Sequence, residues 1–218
     1  MKNNFKYILF DLDGTLTDSG EGITKAVQYA LKHFNIIVDD LHELRKFIGP
    51  PLRDSYIKYY NLDEKEVEIG MEKFREYYGV TGIYENMLYD GIIDVLDKLK
   101  KNNKKIVLAT SKPEFYAKEI LKHFKIDEYF FIVAGADFEE TRVRKGDIIK
   151  YALDQIENIN SEEIVMIGDR EHDIIGAKEN NISSIGVLYG FGNASELAEA
   201  GADYIVDTPQ ELLNVLLP

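Results

Sequence analysis

Two carboxylates, Asp11 and Asp13, close the short apolar run Tyr7–Phe10 and are followed at once by Gly14. In an extended chain, residues two apart face the same side, roughly 6–7 Å apart along the backbone. Asp11 and Asp13 should therefore point together while Leu12 turns into a core. Gly14 permits a sharp turn that lets the chain leave its strand. Like charges this close repel one another, so the pair calls for a cation or a shared proton. Read alone, Asp-x-Asp-Gly is equally a solvated acidic turn punctuated by glycine.

Three further segments carry groups of the same kind. Thr110-Ser111-Lys112-Pro113-Glu114 follows the apolar run Ile106–Ala109. Ser111 and Glu114 have the spacing of a capping box, and Pro113 suits a first helical turn because its missing N–H would find no partner there. A helix start is a natural seat for phosphate, to which the Thr110 hydroxyl would add a donor. Taken alone, the segment reads first as a well-made helix start and nothing more. Lys145 belongs to Arg142-Val143-Arg144-Lys145, three cations within four residues. One of them could neutralise a bound phosphate while the others stay solvated. Gly168-Asp169-Arg170-Glu171-His172-Asp173 follows Ile164–Ile167. A helix beginning at Asp169 would put Asp169 and Asp173 on one face, a repulsive pairing that a divalent cation would relieve. Oxygen-only ligands with open positions suit Mg²⁺. His172 reads as a loop residue rather than a ligand or base, and His33, His42 and His123 fall on helical surfaces.

These segments need a scaffold, and the hydrophobic pattern supplies one. Tyr7–Phe10, Ile106–Ala109, Tyr129–Ala134, Ile164–Ile167, Ser184–Val187 and Tyr204–Val206 are short runs apolar on both faces. That is the signature of buried strands in a parallel sheet. Helix-period segments lie between them: Gly91–Lys101, Glu114–His123 and Asp147–Ile156. The alternation predicts an open, Rossmann-like α/β sheet with right-handed crossovers, and all four chemical segments at the carboxyl ends of its strands, where ligands bind. Gly22–Phe34, Leu41–Phe47, Leu52–Tyr60 and Glu64–Tyr78 read as helices without a convincing strand among them. The expectation is a core of residues 1–17 and 86–218 with a helical domain, 18–85, inserted after the first strand. Tyr56, Tyr59, Tyr60, Tyr77 and Tyr78 read as the aromatic core of that insert before any substrate cage.

The totals exclude several classes. A formal net charge of −13 over 218 residues argues against non-specific nucleic-acid binding and against a polybasic membrane contact. An acidic chain that handles an anion must reverse its own field locally, with a cation, lysines or aimed N–H groups. The absence of cysteine rules out disulfides, thiolate metal sites and a cysteine nucleophile. Met1–Phe10 is too short and polar for a leader, and no stretch has the apolar length of a membrane span, so a cytoplasmic protein is expected.

Taken in order, the four segments resemble the haloacid dehalogenase superfamily. Asp11-Leu12-Asp13-Gly14-Thr15-Leu16 is similar to its first motif, Thr110 to its second, Lys145 to its third, and Gly168-Asp169-x-x-x-Asp173 to its fourth. The helical insert resembles the family's cap, and Gly49-Pro50-Pro51-Leu52-Arg53 its substrate-facing loop. The resemblance is greatest to phosphoglycolate phosphatase-like members, a label that also covers 5′-nucleotidase-like relatives. It implies that Asp11 attacks phosphorus and becomes an aspartyl-phosphate, while Asp13 protonates the leaving alkoxide and then deprotonates water. It also implies Mg²⁺ held by Asp11, the backbone carbonyl of Asp13, Asp169 and, directly or through water, Asp173. Thr110, Lys145 and backbone N–H groups such as those of Leu12 and Ser111 would bind phosphoryl oxygens. Arg53 would reach the distal group of the substrate, with a plain surface arginine the open alternative. Ser111, Lys112 and Gly190-Phe191-Gly192 would line the rim.

The substrate implied is a small phosphate ester, and the protein a monomer or homodimer. Rival readings are a phosphomutase sharing all four motifs, a dehalogenase, against which Asp13 counts, and a non-enzymatic phospho-acceptor signalling domain. Receivers of that last kind use Asp, Thr, Lys and Mg²⁺ on a parallel sheet, but they lack the second acid and the cap and are much shorter.

Overall fold

A computed structural model describes residues 4–137 and 141–217; the first three residues of the segment weighed above as a leader lie outside them. The chain divides into two compact units, Met1–Thr17 with Leu88–Pro218, and Asp18–Met87.

The first unit is a Rossmann-like α/β fold. Its six strands, β1 (Tyr7–Phe10), β4 (Lys105–Pro113), β5 (Phe130–Ala136), β6 (Ile164–Gly168), β7 (Ser183–Val187) and β8 (Tyr204–Val206), are ordered β5-β4-β1-β6-β7-β8. Every pairing is parallel. All four residues of β1 are buried, as a central strand covered on both faces requires. On one face Tyr7, Leu9, Val107, Ala109 and Met166 join Ile148, Ile149 and Ala177, which come from the flanking helices α6 (Lys145–Leu153) and α7 (Glu171–Glu179). Helix α4 (Ile92–Lys101) buries Ile92, Val95, Leu96 and Leu99, the stripe read from its sequence.

In the register, Phe10 lies opposite Leu108 of β4 and Ile167 of β6. Residues 11, 109 and 168 therefore come side by side just past the end of β1, with β4 and β6 still paired to their outer neighbours. Strand order reverses at β1, and such a switch point opens a crevice at the carboxyl ends of the strands.

Three local expectations need correction. Strand β4 runs on to Pro113 through an irregularity in its pairing with β5 between Thr110 and Pro113. Helix α5 (Glu114–His123) accordingly begins with Pro113 as its N-cap, and Ser111 caps nothing. Helix α6 starts at Lys145 instead of Asp147, so Lys145 sits at a helix start, nine residues beyond β5, and not at a strand end. Helix α7 starts at Glu171, with Arg170 extended at its N-cap, so Asp169 and Asp173 do not share a helix face.

The second unit is helical: α1 (Gly20–His33), α2 (Leu52–Tyr60) and α3 (Glu64–Tyr78), with 3-10 turns at Leu41–Phe47 and Gly82–Tyr84. The segment 41–47 is thus a tighter helix than expected. A capping box fixes the start of α3, where Asp63 accepts the N–H of Glu66 and Glu66 accepts that of Asp63. Phe47 meets Tyr56, Tyr59 and Tyr60 with ring centroids 5.2–5.9 Å apart, and Tyr56 is fully buried, so these tyrosines build the unit's own core. The short strands β2 (Thr17–Asp18) and β3 (Met87–Leu88) pair where the chain passes from one unit to the other and back. Among the described residues no helix is long and apolar enough to cross a membrane.

Candidate active site

Three carboxylates meet beyond the ends of β1 and β6. One oxygen from each of Asp11, Asp169 and Asp173 lies within 4.8 Å of the other two, and all three residues are buried. Asp11 is delivered by the last turn of the sheet, its N–H donating to the Ile167 carbonyl at 2.9 Å. Asp173, in the first turn of α7, accepts the N–H of Arg170 at 3.1 Å, and that bond aims it back at the strand end. Asp169 accepts the Phe191 N–H at 2.8 Å and the Thr15 hydroxyl at 3.4 Å.

Lys145 answers part of this charge. Its ammonium lies 2.8 Å from Asp11 Oδ1 and 2.9 Å from Asp173 Oδ1, and it donates to the Ala109 carbonyl at 3.1 Å. The start of α6 thus ties β1, β4 and α7 together at one buried nitrogen. Burial works against the ammonium's charge, but Asp11 and Asp173 outweigh it and hold the Lys145 pKa above its ordinary value. Of its two cationic neighbours, Arg144 is exposed. Arg142 is not simply solvated, as expected: it donates to the Gly135 carbonyl, pairs with Glu114 and lies over the Tyr151 ring.

Three buried carboxylates against one lysine leave an excess of negative charge, and the titration reflects it. Burial pushes Asp11 up to about 6, with Asp173 and Asp13 adding to the rise and Lys145 opposing it. Burial, then Asp173 and Asp11, push Asp169 well above the carboxylate range against the Phe191 N–H. Apart from the Lys145 ammonium, Asp11 Oδ1 and Asp173 Oδ1 have no hydrogen-bond partner among the described residues. Hard oxygen donors, buried, convergent and under-compensated are the donor set a divalent cation takes.

The remaining expected residues fall as follows. Thr110 is buried in β4 beside Ala109, its Oγ1 accepting the Lys112 N–H at 3.2 Å. Ser111, half-buried, follows it in the strand. Asp13 stands apart from the three-carboxylate group, with Oδ2 2.7 Å from Lys112 Nζ. Lys112 is therefore buried and engaged, not on a rim. Arg53 belongs to the helical unit, where its guanidinium pairs with Glu68.

Thr15 and the Phe191 N–H were not expected as partners of Asp169. The signal for the second was Gly190-Phe191-Gly192, whose glycines admit a close approach. A Cβ at Gly190 would stand 2.2 Å from the Gly14 carbonyl and 2.6 Å from Asp169 Oδ2. Gly14 itself, at φ +85°, would drive a Cβ to 2.2 Å from the same carboxylate. Gly190→Ala is thus expected to push Asp169 out of place. With a divalent ion held by these carboxylates, the concentration for half-maximal activity would rise about tenfold or more, at a stability cost of about 1–3 kcal/mol. An activity–metal titration beside a thermal melt reads both, and an unchanged titration would show that Asp169 tolerates the crowding.

The sequence pattern of haloacid dehalogenase-like hydrolases matches residues 8–187. The chain belongs to that family. Its relatives include a 5′-nucleotidase of Pseudomonas aeruginosa, 45% identical over 87% of this chain and 86% of that one. A phosphoglycolate phosphatase of Colwellia psychrerythraea is 32% identical over 94% of each, and the tyrosine-protein kinase PtkA of Mycobacterium tuberculosis is 34% identical over 95% of this chain and 72% of that protein. Among solved structures, one described as a predicted phosphatase from Clostridium acetobutylicum superposes with a TM-score of 0.94 at 49% identity, covering 98% of both chains.

Proposed function

We propose that this phosphatase hydrolyses a small organic phosphate monoester with Mg²⁺ bound among Asp11, Asp169 and Asp173, through an aspartyl-phosphate at Asp11. The observation that carries the reading is the buried Asp11–Asp169–Asp173 group held against Lys145. A divalent cation bound there supplies the positive charge that lets a phosphate dianion approach a carboxylate. An oxygen of Asp11 attacks phosphorus, the ester P–O bond breaks, and Asp13 gives the departing oxygen its proton. Water then attacks the phosphorus of the acyl phosphate, returns a proton to Asp13 and frees inorganic phosphate and the Asp11 carboxylate. Lys145 and Thr110 bind phosphoryl oxygens, with the backbone N–H groups of Leu12 and Ser111. The Asp13 backbone carbonyl would be a further ligand of the cation. The helical unit acts as a cap, with Arg53 taking the distal group of the substrate.

Two substrate classes fit. The phosphoglycolate-like reading rests on relatives of that name, and a nucleoside 5′-monophosphate is favoured by the greater identity to the Pseudomonas 5′-nucleotidase. The ratio of kcat/KM between the two esters decides, and an advantage of about a hundredfold names the substrate class.

The chemistry is tested by acid-quenching the enzyme during turnover of p-nitrophenyl phosphate with Mg²⁺ and locating the phosphoryl group by peptide mass. The expected result is a phosphorylated peptide containing Asp11, absent when the metal is chelated. Steady turnover with no phosphoryl group on that peptide, or turnover indifferent to chelation, would overturn the proposal.

A further inference from the structure

Lys112 and Asp13 form a second ion pair beside the Lys145 group, and the fold makes particular provision for it. The continuation of β4 through Ser111 to Pro113, with its shifted pairing to β5, carries Lys112 into the interior instead of onto a helix surface. Its side chain is 5% exposed and that of Asp13 12%, with Nζ 2.7 Å from Oδ2. Asp13 Oδ1 is buried as well and has no hydrogen-bond partner among the described residues. One oxygen of this carboxylate is therefore anchored and the other is left open.

A carboxylate beside Asp11 and Gly14 has a ready alternative. It can swing toward the Asp11–Asp169–Asp173 group, where a divalent cation would be held. Two separate lysines divide the carboxylates between them, Lys145 on Asp11 and Asp173, and Lys112 on Asp13. A buried ammonium is strongly disfavoured unless paired, so the contact also fixes Lys112 itself.

We infer that Lys112 is a positioning residue: it pins Oδ2 of Asp13 so that Oδ1 is the oxygen that passes the proton to the leaving group and takes it from water. The inference rests on the reading of Asp13 as the proton-transfer group. Lys112 makes no bond to the reacting atoms in either step.

The experiment is a double-mutant cycle with p-nitrophenyl phosphate, whose leaving group needs protonation least and so leaves Asp13→Asn a measurable residue of activity. Lys112→Met should lower kcat about tenfold or more, with KM and the inhibition constant of inorganic phosphate within about threefold of wild type. In the Asp13→Asn background the same change should cost less than about twofold, because the group that Lys112 positions is gone. Should Lys112→Met fail to fold, Lys112→Gln, neutral but still a donor, takes its place in the cycle. Equal losses in both backgrounds, a rise in KM and phosphate inhibition constant that matches the loss, or no loss at all would each overturn the inference. A failure of the underlying reading looks different: Asp13→Asn would then turn over as fast as wild type.

Discussion

Asp11→Asn is expected to lower turnover by about 10⁴-fold or more and, in the absence of divalent cation, to make the protein more stable at pH 7. The loss follows from the proposed covalent route, which an amide cannot open. The gain follows from the titration of the site. Folding raises the Asp11 pKa from 3.8 to about 6, chiefly through burial, so the folded state favours the protonated form. Stability present at low pH is lost as the pH climbs through that window, and the whole displacement corresponds to about 3 kcal/mol. A neutral amide escapes it. Thermal melts in chelator at pH 4 and pH 7 should show wild type and variant close together at the lower pH and the variant ahead at the higher one. A variant that melts below wild type at both would mean that the carboxylate is not under electrostatic strain.

Lys145→Met should move stability the opposite way. Removing the ammonium leaves Asp11 and Asp173 buried side by side without their cation, a loss of about 3–5 kcal/mol at neutral pH when one member of a buried ion pair is deleted. Turnover should fall about 10²–10³-fold, the range for deleting one aimed donor to a developing charge. Saturating Mg²⁺ should recover much of the stability and little of the activity, since a cation can balance the carboxylates but cannot supply the donor at the start of α6. The double variant Asp11→Asn/Lys145→Met should be more stable than Lys145→Met alone, because the two sites are in contact and their effects are not additive. Denaturant unfolding with and without Mg²⁺ checks the set. Stability of Lys145→Met equal to wild type would show that the lysine was not compensating the carboxylates.

The strands and the three acids were legible because local pattern carries them. Tyr7–Phe10 and Tyr204–Val206 have the bounds their apolar runs suggest, and Asp11 had to lie at the end of the first. Asp169 and Asp173 were found for a reason that does not hold. They were expected to meet as neighbours on one helix face, yet Asp169 belongs to the strand end and Asp173 to the first turn of α7. Lys112 was misjudged because Ser111-Lys112-Pro113-Glu114 has good helix-start chemistry, and pairing with β5 overrides it. Propensity is a weak prior where a neighbouring strand offers hydrogen bonds. The hold of Thr15 and the Phe191 N–H on Asp169 joins residues up to 154 apart in sequence. No local window contains such a contact.

The pairing of β1 with β4 has a consequence for how the chain tolerates change. Tyr7 meets Lys105 across 98 residues, of which the helical unit contributes 70, so the closing loop would span 28 without it. Because loop-closure entropy grows only with the logarithm of length, the insert adds about 1 kcal/mol to forming the central strand pair. Seventy residues can thus hang between the strand that leads to Asp11 and its neighbour at the thermodynamic cost of a single modest substitution. Grafting a different helical insert at the same two crossings is therefore a question of junction geometry and of what the new insert recognises, and hardly one of whether the sheet can still close.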